Sequence, residues 1–356
     1  MKLHTGNHEG IMPLACYPVA IQSAMDGKPL PVYAEIAPSE TCNHACPFCF
    51  TEFAQSETVM SEELLFRIMR DLGAWRLPTL EIQGIGEPLL CKSLARGIVL
   101  GKTLGIKHIC LTTNGVLANE EFLSTAVPSL TYLKFSSMEY DAAKYAYTHG
   151  CDQKDHAIVL HNIETACRIR DETKSPCKIT VTVMMTNQYE DAYKLAKQMK
   201  DIGVDHIQFK TAGRHQNNKG QAWLGFREVE WRNVEPYVAL LASEKFFVSF
   251  RYDFTTDQKP CERNYSTCHA LGLFIHIAAD GKIYPCFAHW KNDRYCLGDL
   301  SKQHMGELCY SDAFYAAINR VKAETDIKTC AFGCKQDKPN AFLDRLIHPI
   351  FGGDVL

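Results

Sequence analysis

The chain has 356 residues and a net charge of −3, length enough for one large domain and a smaller one. Its lysines and arginines are interspersed with acids, which excludes a broad nucleic-acid or membrane-surface footprint. No apolar run approaches the ~18 residues of a bilayer span, and the polar start from Met1 to His8 lacks a signal peptide's apolar centre, so a cytoplasmic location is expected. In such a chain sixteen cysteines point to metal or redox chemistry rather than disulfides.

Residues 1–30 show no strong periodicity and read as an extension lying on the main domain. A strand and helix alternation begins at Pro31. The strand-like runs are Val32–Ala37, Thr79–Gln83, His108–Thr113, Tyr132–Ser136, Lys178–Met185 and His206–Lys210. Between them, Ser61 caps a helix with Glu62 and Glu63 in its first turn. Leu64, Leu65, Ile68, Met69 and Leu72 lie on one face, and Gly73 is the expected stop. A second helix runs from about Tyr189, with Ala192, Leu195, Ala196, Met199 and Ile202 facing inward before Gly203.

Six βα units in series imply an α/β fold with a parallel sheet over residues 31–215. Six strands are too few for a closed barrel of the TIM type and fit a partial (βα)6 barrel, with chemistry expected at the C-terminal strand ends. The pattern breaks in a polar, glycine-bearing loop, Thr211 to Gly220. Residues 216–254 then hold a helical stretch at Glu228–Ser243 and a strand-like Phe246–Tyr252. From about Thr255 the cysteines become dense, marking a small C-terminal domain over 255–356. There, alternating runs flank Asp280 and Gly281, a β-hairpin signal.

The chain is organised around Cys42, Cys46 and Cys49, spaced C-x3-C-x2-C just after the first strand. Three thiolates on one tight loop can hold three corners of a cubane iron–sulfur cluster and leave the fourth iron open to a small molecule. The alternative is a zinc knuckle with His44 or a remote residue as fourth ligand. One βα unit later comes Gln83-Gly84-Ile85-Gly86-Glu87-Pro88. Its glycines let the backbone approach a ligand closely, Glu87 offers an acceptor and Pro88 stiffens the exit.

Together these stretches resemble the radical S-adenosylmethionine (SAM) superfamily, the second as a G-x-G-E-P form of its G-G-E-P motif. The resemblance implies a three-quarter barrel and a [4Fe-4S] cluster on Cys42, Cys46 and Cys49. SAM would chelate the open iron, its amino group received at Gly84–Pro88. His44 would then lie beside the cluster rather than on it, because a protein nitrogen on that iron would displace SAM. Asn114, in Thr112-Thr113-Asn114-Gly115, matches a T-N-G of relatives, or is an ordinary turn. Ser136 or Ser137 matches a serine that reaches the SAM ribose, and Glu139 the acidic residue beyond it. Where relatives show Arg-Gly this chain has His149-Gly150, so no arginine contact to SAM's carboxylate carries over.

Cys268-(x12)-Gly281-(x4)-Cys286, followed by Gly298-Asp299-Leu300 and by Cys330-(x3)-Cys334, resembles the SPASM domain in its shortened, twitch form. The usual closing pair is C-x2-C. This implies one auxiliary [4Fe-4S] cluster on Cys268, Cys286, Cys330 and Cys334. Cys261, Cys296 and Cys309 are further candidates, two auxiliary clusters the less favoured count, and a structural zinc site the alternative. Cys110 and Cys167 read as core packing. Cys16, Cys91, Cys151 and Cys177 have no metal spacing.

The activity implied is one-electron cleavage of SAM to methionine and a 5′-deoxyadenosyl radical, which takes a hydrogen atom from an unactivated C–H bond. Glu139, Lys210 and Arg214, at ends of strands four and six, point toward the expected substrate space. Residues 1–30 are too few for the leader-binding domain of many peptide-modifying relatives. The expected substrate is therefore a small polar metabolite, such as an amino sugar, cyclitol or nucleoside, undergoing dehydrogenation or epimerisation. The alternative is a peptide or protein maturase forming a thioether, cross-link or formylglycine, and a remoter one a non-enzymatic iron–sulfur or zinc protein. Expected partners are the substrate and a one-electron donor such as flavodoxin or ferredoxin, with neither nucleic acid nor membrane.

Overall fold

A computed structural model describes residues 14–136, 138–212, 225–252, 263–330 and 334–349. Ten strands form one sheet: β1 (Tyr33–Ile36), β2 (Thr79–Ile82), β3 (His108–Thr113), β4 (Tyr132–Phe135), β5 (Lys178–Met184), β6 (His206–Lys210), β7 (Phe247–Arg251), β8 (Phe274–Ile277), β9 (Lys282–Tyr284) and β10 (Gly298–Asp299). Their order is β10-β9-β8-β1-β2-β3-β4-β5-β6-β7. The first six are the strands expected from the sequence, and Phe247–Arg251 joins them as another parallel strand beside β6.

The hairpin around Asp280 and Gly281 forms as expected. It is not a separate layer, however. Phe274–Ile277 pairs parallel with Tyr33–Ile36, so the C-terminal region is sewn onto the free edge of the first strand. The residues before β1 also reach this region. Leu14, Ala20 and Ala24, the last two on a helix over Pro18–Met25, pack with Ala270, Leu273, Phe274 and Leu343.

Alternation along the strands gives the sheet two unlike faces. Ala34, Ile36, Leu80, Ile82, Ile109, Leu111, Leu133 and Phe135 pack into the main core with Leu65, Ile68, Met69 and Leu72 of the helix Glu62–Ala74. Each buried leucine, isoleucine, methionine or phenylalanine among them contributes about 1.5–3 kcal/mol. Ser61 caps that helix by accepting from the Leu64 N–H, but Gly73 does not end it. The helix runs on to Ala74, and Gly73 is needed because a Cβ there would stand 2.5 Å from the Leu104 Cβ. Gly203, by contrast, ends the helix Ala192–Ile202 as expected, at φ +96°.

The opposite face is polar. The Tyr33 hydroxyl donates to Glu81 Oε2 at 2.8 Å and the Tyr132 hydroxyl to Glu81 Oε1 at 2.9 Å. Lys335, the residue after Cys334, inserts its ammonium here and donates to Glu35 at 2.6 Å. Burial opposes ionisation of Glu81, but the charges of Lys335 and Lys134 outweigh it and hold the carboxyl below its usual range. The ion pairs of Lys335 with Glu35 and Glu81 thus tie the last cysteine pair to the polar face of the sheet. Among the described residues no helix is long and apolar enough to cross a membrane.

Candidate functional site

Three loops at the C-terminal ends of β1, β2 and β3 are locked together, the first two by backbone bonds and the third through the Glu87 side chain. The Gly86 N–H donates to Ser39 O at 3.1 Å and the Glu87 N–H to Thr41 O at 2.8 Å. A Cβ on Gly86 would stand 1.8 Å from that same Thr41 oxygen, and one on Gly84 would stand 2.0 Å from Gly86 O. Both glycines are therefore demanded by close backbone approach. Glu87 is buried, and its two carboxylate oxygens are engaged within the chain. Oε1 accepts from Thr113 Oγ1 at 2.6 Å and from the Leu89 N–H at 3.0 Å, and Oε2 from the Asn114 N–H at 2.8 Å. Burial pushes this carboxyl up against those three bonds. Asn114 Nδ2 in turn donates to Asn43 Oδ1 at 2.7 Å, reaching the cysteine loop.

The resulting cleft has a volume of about 170 Å³ and opens to solvent at its mouth. Cys42, Cys46, Cys49, Gly84, Gly86, Glu87, Asn114 and Ser136 all line it. Pro88 is buried behind, opening a 3-10 turn to Leu90. Ser137 and Arg214 lie outside the described residues, as does Cys261. Lys210 closes β6, where its carbonyl accepts from the Met185 N–H. Glu139 does not line the cleft. It is buried, which pushes its carboxyl up to about 8 against the opposing charge of Lys144.

The sequence reading passed over His149, which also lines the cleft. Its ring stacks on Tyr145 with centroids 4.1 Å apart, and Nδ1 lies 2.9 Å from Tyr145 O. Nδ1 therefore carries the proton, and Nε2 is an acceptor with no hydrogen-bond partner among the described residues. Burial drives the ring down to about 3, so it is neutral. Gly150, at φ +58°, would place a Cβ 2.4 Å from Ala45 O, and the Ala45 N–H donates to His149 O at 3.0 Å. The signal available was the glycine at the place of the expected Arg-Gly, which marks the approach of this segment to the cysteine loop.

The three thiols suit an iron–sulfur cluster. Burial first, and then the nearby Glu87 and Cys49, push Cys42 up to about 11, and Cys46 is raised further by burial and by its two neighbours. Bare, Cys42 and Cys46 would stay protonated, and a bound cationic centre is what allows neighbouring thiols to ionise together. Donors to sulfur are in place, with the His44 N–H 3.5 Å from Cys42 Sγ and Gln55 Nε2 3.7 Å from Cys49 Sγ.

A second thiol group forms under the hairpin. Cys268, Cys286, Cys330 and Cys334 lie close enough for mutual repulsion to add to burial, which raises Cys268 to about 12 and Cys334 to about 11. Asn340 Nδ2 donates to Cys268 Sγ at 3.3 Å, and Gln336 Nε2 to Pro285 O at 2.8 Å. Cys296 instead turns its Sγ to Gly298 O at 3.2 Å, and Cys309 is buried against Met305. Cys110 and Cys167 are core residues as expected.

Residues 36–136 match the radical SAM superfamily and residues 268–335 the SPASM iron–sulfur cluster-binding domain. The chain is 25% identical over 210 residues to a probable GTP 3′,8-cyclase of Saccharolobus islandicus, a match covering 58% of this chain and 64% of that protein. A GTP 3′,8-cyclase of Chlorobaculum tepidum is 24% identical, with 72% of this chain and 78% of that one covered. Among solved structures, SuiB of Streptococcus suis bound to S-adenosylmethionine superposes with a TM-score of 0.63 at 18% identity, over 86% of this chain and 73% of that one. The enzyme anSMEcpe with bound AdoMet gives 0.57 at 20%, over 83% and 84%. With its cysteine loop, glycine-framed cleft and hairpin-borne thiols in these places, the chain belongs to the radical SAM superfamily and carries a C-terminal SPASM iron–sulfur domain.

Proposed function

We propose that this radical SAM enzyme abstracts a hydrogen atom from a side chain of a peptide or protein, and so acts as a maturase. When bound at Cys42, Cys46 and Cys49, the cluster with SAM supplies one-electron reductive cleavage of the sulfonium. The chain's own share is to hold and to shield. Gly84 and Gly86 bring backbone within reach of the ligand, Asn114 and Glu87 fix the loop that carries it, and the neutral His149 offers an acceptor without adding charge. The four C-terminal thiols hold one auxiliary [4Fe-4S] cluster, and a flavodoxin or ferredoxin delivers the electron.

The observation that carries the peptide reading is a likeness spanning barrel and hairpin together. SuiB of Streptococcus suis has been solved bound to precursor peptide SuiA, and anSMEcpe bound to the Kp18Cys peptide. A second reading, a small polar metabolite of nucleotide kind, is favoured by the names of the GTP 3′,8-cyclase relatives. Anaerobically reconstituted, reduced protein is incubated with SAM and with deuterated peptides or nucleotides. Deuterium entering 5′-deoxyadenosine from a peptide supports the proposal, and deuterium from a nucleotide alone overturns it. Iron analysis at about eight atoms per chain fits a single auxiliary cluster, and about twelve requires two.

A further inference from the structure

At the cysteine loop, three side chains left unused above converge, one of them, His44, also lining the cleft. His44 stands between Cys42 and Cys46. Cys151 follows Gly150, and Asp155 lies in the first turn of the helix Lys154–Glu172. A ring nitrogen of His44, the Cys151 Sγ and a carboxylate oxygen of Asp155 all lie within 4.8 Å of one another. The segments carrying them already touch, through the bond from the Ala45 N–H to His149 O.

The second observation is His44 itself. Its side chain is 1% exposed, yet among the described residues neither ring nitrogen has a hydrogen-bond partner. Nε2 lies 3.3 Å from Asp155 Oδ2, near enough for an ion pair but off the line of a hydrogen bond. A buried polar atom left in this way costs about 1–3 kcal/mol. A cation seated among the three donors would satisfy Nε2, the carboxylate and the thiolate together. In a tetrahedral site with bonds of about 2.0–2.3 Å, neighbouring donors stand roughly 3.3–3.8 Å apart, which is the spacing seen between imidazole and carboxylate.

We propose that His44, Cys151 and Asp155 form a zinc site with water in its fourth position, stapling the cysteine loop to the helix that follows His149 and Gly150. One nitrogen, one sulfur and one oxygen make a borderline donor set that suits zinc over calcium or magnesium. The site adjoins the first thiol group, with Cys151 close enough to Cys46 to act on its charge, yet it draws on none of the thiols of either sulfur-only group.

To test it, the full chain is first loaded anaerobically with iron and sulfide. It is then exposed to zinc sulfate, desalted and examined by elemental analysis and zinc-edge X-ray absorption. The expected result is about one zinc per chain, with a single sulfur at about 2.3 Å and the remaining ligands nitrogen or oxygen at about 2.0 Å. Cys151→Ser and Asp155→Asn, both close in shape to the native residues, should each weaken zinc retention at least about tenfold while iron content stays unchanged. The unchanged iron shows that either variant has folded. Three results overturn the site: no zinc after desalting, zinc bound through two or more sulfurs and indifferent to both variants, or iron lost with Cys151→Ser.

Discussion

The two thiol groups are built in opposite ways. Cys42, Cys46 and Cys49 occupy a single loop, and the loops that frame it are held by main-chain bonds at Ser39, Thr41 and Ala45. Cys268, Cys286, Cys330 and Cys334 come from separate stretches and are gathered by side-chain amides, Gln336 and Asn340, on or beside the helix Asp337–Ile347. The first group leaves one corner facing a cleft, whereas the second has a fourth thiol to close it. A local motif placed at a strand end can bind and exchange a small ligand. A site assembled from distant segments exists only once the whole fold is present.

Breaking each group separately gives the sharpest contrast. Cys42→Ala should reduce 5′-deoxyadenosine formation to background in the reduced, reconstituted protein. Cys286→Ala should remove about four irons per chain yet leave SAM cleavage measurable by chromatography. Equal loss in both variants would mean that the two sites are not independent.

The link between the groups comes next. Lys335→Met leaves Glu35 and Glu81 facing each other in a buried setting without their shared cation. Breaking such a pair costs about 3–5 kcal/mol when it is fully enclosed. The Lys335 side chain is 28% exposed, so about 2–3 kcal/mol is expected in chemical denaturation. Iron at the C-terminal group should fall as well, because Cys334 is the adjoining residue.

A smaller effect tests the main-chain frame. Gly86→Ala must push Thr41 away and should cost about 1–3 kcal/mol, along with a loss of SAM affinity by calorimetry. Gly306→Ala, where nothing lies within 4 Å of the added carbon, should be neutral or stabilising by up to about 1 kcal/mol. Similar results at the two glycines would refute the close-approach argument.

The least effect concerns pH. Glu139 has its carboxyl raised from 4.5 to about 8 by burial, so the folded state holds a proton that the unfolded chain releases. Its contribution is complete below pH 4.5 and is lost as pH climbs to about 8. Glu139→Gln should flatten the decline of melting temperature across that window, and an unchanged profile would assign the decline to other groups.

The strands were legible because buried β-branched runs are local signals, and each expected strand lies within a residue or so of its place. What lies beside what was less legible. Nothing within Phe274–Ile277 says that its neighbour is Tyr33–Ile36, far back in the chain, so the hairpin reads as a separate domain and turns out to be an extension of the main sheet. Gly73 shows the same limit. A glycine after an apolar helix face reads as a stop, and only the nearby Leu104 explains why it is a packing residue instead. In the cleft, the cysteines and Gly84–Glu87 stand out as contiguous motifs. His149 is a single residue that only the folded chain brings there.

The seating of Phe274–Ile277 against β1 has a consequence for anyone trimming the chain. A fragment ending at residue 252 would keep the loops that line the cleft but strip β1 of its outer neighbour. It would bare a row of main-chain donors and acceptors ready to recruit another molecule. Such a piece should come out of cells as inclusion bodies, and solubility would return only when residues 263–284 are supplied.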